Sequence, residues 1–72
     1  MKKIKLSDQQ IKNMKNLPET GMGYHKVKII FKDGEELTHS NEFNLTVENS
    51  EFLLIESSYN ININDIETIE TI

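Results

Sequence analysis

Apolar and polar positions alternate with a period of two along most of the chain from Tyr24 onward, and follow a helical period only near the N-terminus. Val27, Ile29 and Phe31 point one way while Lys26, Lys28 and Lys32 point the other, which is the pattern of a strand with one buried face. Asp33-Gly34 follows as a hairpin turn of the kind that needs positive φ, and Glu35 to Ser40 returns with Leu37 inward. Phe43, Leu45 and Val47 alternate with Asn44, Thr46 and Glu48 in a third strand, closed by the polar turn 48–51. Phe52-Leu53-Leu54-Ile55 is apolar on both faces. Either the strand is central and covered on both sides, or one face is a contact between copies, which is the reading expected of a chain this small. After a turn at Ser57-Ser58-Tyr59, Ile61 and Ile63 alternate with asparagines. Asp65, Ile66 and Ile69 then fit one 3₁₀ or helical turn before a short closing strand at 70–72.

The helical period covers residues 7–16. Ser7 and Gln10 have capping-box spacing, and Leu6 and Ile11 stand at the two ends of a hydrophobic staple. Ile11, Met14 and Leu17 form a narrow apolar stripe, and Pro18 ends the helix by disfavouring helical backbone at Leu17. One helix followed by about five short antiparallel strands predicts a mainly β fold, a small SH3-like or Sm-like barrel with the helix packed outside it. Residues 1–72 read as a single domain, with the helix at about 7–16 and the β-rich part at about 24–72.

Composition changes the picture in three ways. The chain has 72 residues and no cysteine, so neither disulfides nor thiolate metal sites staple it, and self-association is a common supplement to so small a core. No apolar run reaches the length of a membrane span, and no apolar stretch follows Met1-Lys2-Lys3, so a cytoplasmic protein is expected. Alanine, arginine and tryptophan are also absent while Ile, Lys, Asn and Glu abound, as in AT-rich coding sequences of low-GC bacteria and their phages. Charge is divided along the chain. Eight lysines against Asp8 and Glu19 leave residues 1–32 at +6, and ten carboxylates with no base leave residues 33–72 at −10. Either the two halves interleave on one surface, or the molecule is polar and associates head to tail. An acidic chain without arginine argues against nucleic acid as partner.

Candidate chemistry concentrates at Thr20-Gly21-Met22-Gly23-Tyr24, where two of the three glycines fall. Glycine permits positive φ or close approach of another group. Met22 and Tyr24 are contact-type side chains, and His25, Lys26 and Lys28 follow directly. Three readings stand: a tight turn by which Met22 and Tyr24 plug the barrel end, a protein contact, or an anion-binding nest. The Gly-x-Gly lacks the third glycine of a dinucleotide fingerprint. His25 and His39 lack metal-ligand spacing, and the serines at 40, 50, 57 and 58 have no oriented base. No catalytic residue, metal or cofactor is therefore assigned. The expected function is a non-enzymatic binding or interaction module acting as a homo-oligomer, with Phe52, Leu53, Leu54 and Ile55 at the oligomer interface. Thr20, Gly21, Met22, Gly23, Tyr24, His25, Lys26 and Lys28 are expected to meet a ligand or partner. The alternatives are a protein that binds or sequesters a small anionic, nucleotide-like ligand, in a bacterial or phage setting, and an Sm-like RNA binder.

Residues 18–72 also carry a resemblance. Thr20-Gly21-Met22-Gly23-Tyr24, the Lys32-Asp33-Gly34 hairpin and the late Asp65-Ile66 with Ile69 resemble a group of small uncharacterised bacterial proteins. These share a Thr-Gly-Met-Gly-Tyr motif before a Leu-Lys-Asp-Gly hairpin and a terminal Asp-Ile-x-x-Ile. The Asn-rich stretch 60–64 departs from that pattern. The resemblance implies a compact β domain and brings no activity.

Overall fold

A computed structural model describes residues 1–72. Six antiparallel strands and one helix follow in the order β1 (Lys2–Lys5), α1 (Asp8–Lys15), β2 (Tyr24–Phe31), β3 (Glu36–Thr38), β4 (Leu45–Glu48), β5 (Phe52–Ile55), a 3₁₀ turn (Ile63–Asp65) and β6 (Ile66–Thr71). The helix starts where its caps dictate. Ser7 Oγ accepts from the Gln10 backbone N–H at 3.2 Å, and Gln10 Oε1 accepts from the Ser7 N–H at 2.9 Å, so two otherwise orphaned donors are satisfied reciprocally.

β2 is the spine of the sheet. Its first half pairs with β4 and its second half with β3, while β6 runs along Val27–Phe31. The carbonyls of Gly23 and Val27, four residues apart on one edge, accept from Asn49 and His39, whereas Lys26 accepts from Ile72 on the other. β3 and β4 therefore share an edge, as one strand interrupted by residues 39–44, and β6 takes the opposite edge. His39 holds the interruption closed, its Nδ1 lying 3.1 Å from the Leu45 amide nitrogen. The β4–β5 turn has φ 54° at Asn49 and 60° at Ser50, which is the type I′ geometry whose twist suits a hairpin.

Three expectations need correction. The chain has a first strand that its pattern does not announce: β1 holds a single apolar residue, Ile4, among lysines, and is held in place by pairing with β5. The Asn-rich stretch before Asp65 contributes no strand, and β6 begins at Ile66 rather than near residue 70. The sheet is also not closed, because β1 pairs only with β5 and β6 only with β2. The two ends are joined instead through the helix, where Gln10 Nε2 donates to the Ile63 carbonyl at 3.1 Å.

The core lies on the inner face of the sheet, beneath α1. Met14, Val27, Ile29, Leu45, Val47, Leu53 and Ile55 are wholly buried there. Ile11, Leu17, Ile63 and Ile69 pack around them. Leu53 and Ile55 are thus core residues of the subunit and not half of an exposed interface. Only Phe52 and Leu54 of the apolar tetrapeptide lie on the outer face, half-buried.

Candidate functional site

The Gly-Met-Gly segment is the turn of a tight hairpin. Gly21 and Tyr24 form a two-way bridge, each amide donating to the other's carbonyl at 3.3 Å. Positive φ occurs at Gly23 (83°) and not at Gly21, the signature of a type II turn. Thr20 locks the base of the hairpin, its Oγ1 accepting from the Lys26 N–H at 2.8 Å. Gly21 has a different reason to be glycine. A Cβ there would stand 2.6 Å from Tyr24 Cζ, so the bare backbone is the bed on which the Tyr24 ring lies.

Met22, at the tip, is 100% exposed, and Tyr24 is 38% exposed. They do not plug the end of the sheet, since a plug would be buried. The amides of Gly21 and Tyr24 are already used within the hairpin, which removes them from any anion nest.

The residues that follow are divided by the pleat. His25 is wholly buried in phase with Val27 and Ile29. Its Nε2 lies 3.0 Å from the Leu17 carbonyl and Nδ1 has no partner. Because a carbonyl only accepts, the proton belongs on Nε2, so the ring pins the start of the α1–β2 connection to the core. His25 is therefore a structural residue with no access to a ligand. Lys26 and Lys28 lie on the outer face, where Lys28 pairs with Glu36 at 3.1 Å.

Pairing register sets what accompanies them. One row across the outer face runs Tyr24, Glu48, Phe52, Lys5, and the next runs Lys26, Thr46, Leu54, Lys3. Lys3 Nζ meets Glu48 at 3.1 Å and sits 4.7 Å from the centre of the Phe52 ring, a cation–π arrangement. Tyr24, Lys26, Phe52 and Leu54 thus share one surface, while His25, Leu53 and Ile55 face inward.

A second feature escaped the sequence reading. Phe31, Leu37, Tyr59 and Ile61 floor a groove of about 470 Å³, rimmed by Asp33, Glu35 and Asp65. Tyr59 is steadied edge-on by Phe43, ring centres 4.9 Å apart. Leu37 is identifiable as inward from alternation alone. Tyr59 and Ile61 come from a loop distant in sequence, which no local pattern connects to it. A second groove, of about 410 Å³, lies between α1 and β6 and is mostly polar, including Gln9, Asn13, Asn64 and Thr68. Comparison with protein-family models, with curated proteins and with solved structures finds no match to this chain.

Proposed function

We propose that the protein is a non-enzymatic interaction module that associates with its own copies through the outer face of the sheet. One observation carries this reading: Phe52, Leu54 and Tyr24 lie together on a face that neither α1 nor the 3₁₀ turn covers, since both pack on the inner side. Lys3, Lys5 and Lys26 surround Glu48 there, so a rotated copy could set its Glu48 against a lysine of the first. Its small core gives such a chain a use for further apolar burial. In this reading the open, bent sheet belongs among small SH3-like or Sm-like barrels. The five strands after the helix, with a 3₁₀ turn before the last, support that kinship.

Sedimentation equilibrium at micromolar concentration tests the reading. A dimer or larger assembly is expected, and Leu54→Lys should dissociate it while the subunit stays folded by circular dichroism. Thr46→Lys, in the same row, should act likewise. A monomer at every concentration up to the millimolar range removes the reading.

A further inference from the structure

We infer that the free edge of β3, together with the acidic groove beside it, is a docking site for an extended basic peptide segment of another protein, which adds as a strand. This stands apart from the outer-face association proposed above.

The edge comes first. The ladder pairs Phe31 with Glu35 and Val27 with His39 through backbone bonds, and Ile29 stands opposite Leu37 between them. Alternation then turns the N–H and C=O of Glu36 and Thr38 away from β2, and none of these groups bonds to any other part of the chain. Both residues are exposed. An edge of this kind is a template for a further strand.

Chemistry then selects the strand. A residue added opposite Leu37 puts its side chain on the inner side, among Phe31, Tyr59 and Ile61, where an aliphatic group fits. Its two successors in an antiparallel strand stand opposite Glu36, which already pairs with Lys28 on the outer face, and opposite Glu35, on the groove side. Asp33 and Asp65 join Glu35 on the groove rim, three carboxylates against the single lysine there, Lys32. Acidic strands, including those of the chain's own C-terminal half, are repelled, while a segment of the pattern aliphatic-basic-basic gains backbone bonds, apolar burial and ion pairing together.

The probe is the synthetic peptide acetyl-Thr-Ile-Lys-Arg-Gly-amide, titrated into the ¹⁵N-labelled protein and followed by amide shifts. Saturable shifts at Leu37, Tyr59 and Ile61, with a dissociation constant of about 1 mM or tighter, are expected. Glu35→Lys should weaken binding about tenfold through charge reversal. Thr38→Pro should weaken it at least as much, because it deletes a donor the β2–β3 ladder does not use. The same peptide N-methylated at its lysine reports on the edge without altering the protein, should that variant fail to fold.

Leu54→Lys should leave peptide binding unchanged, which separates this site from the outer face. Equal binding of acetyl-Thr-Ile-Glu-Glu-Gly-amide, or undiminished binding of the N-methylated peptide, overturns the inference. Shifts of the groove amides on raising protein concentration alone, abolished by Thr38→Pro, would assign the edge to a second copy and overturn it equally.

Discussion

Replacing Leu53 by alanine, and Leu54 by alanine beside it, tests the division of the apolar tetrapeptide into a core face and an outer face. Leu53 is 0% exposed and stands between Ile4 of β1 and Val47 of β4. Truncation removes three carbons, and at about 0.8 kcal/mol per buried methylene the transfer loss is about 2.4 kcal/mol. The cavity left between two strands whose backbones are fixed by ladder bonds raises this to about 3–4 kcal/mol. A domain of this size commands only about 3–5 kcal/mol in total, so Leu53→Ala should be at or near the edge of unfolding at 25 °C. The expected fall in melting temperature is about 12–30 °C. Leu54 is half-buried on the opposite face, and its truncation leaves no enclosed cavity, so about 1 kcal/mol is expected. Urea titrations followed by far-UV circular dichroism, at a concentration where both variants are monomeric, measure the difference. Ile55→Val, expected to cost about 1 kcal/mol, keeps the core reading measurable if Leu53→Ala does not fold. Equal costs for Leu53→Ala and Leu54→Ala, or the reverse order, would refute the assignment of faces.

Two further expectations concern turns. Gly21→Ala should cost about 1 kcal/mol by driving a Cβ into the Tyr24 ring and forcing that side chain off its bed. In a Tyr24→Ala background the cost should largely vanish, and a double-mutant cycle by thermal denaturation checks this. Ser50 holds φ at 60° without being glycine. Ser50→Gly should therefore raise stability by about 1 kcal/mol, read as a higher urea midpoint at unchanged slope.

Local physics determined much of this molecule from sequence alone. The capping box at Ser7 and Gln10, the stripe that buries Met14, and the stop at Pro18 are all nearest-neighbour effects, and the helix lies where they predict. Alternation through Val27, Ile29 and Phe31, and the Asp33-Gly34 turn, likewise located β2 and its hairpin, because side-chain direction in a strand depends on parity. The exposure of Met22 and Tyr24, and the roles of their neighbours, rest on contacts that the local pattern does not carry. His25 shares the parity of the core, and only its meeting with the Leu17 carbonyl makes it a structural pin. Parity could not say which face of Phe52–Ile55 is inward, since both are apolar; pairing with Ile4 and Val47 decides that. β1 exists because β5 offers it a ladder, and the groove because a loop near residue 60 folds back against Leu37. Each depends on contacts between residues far apart in the chain, whose energies no local pattern records, so only the tertiary structure could decide them.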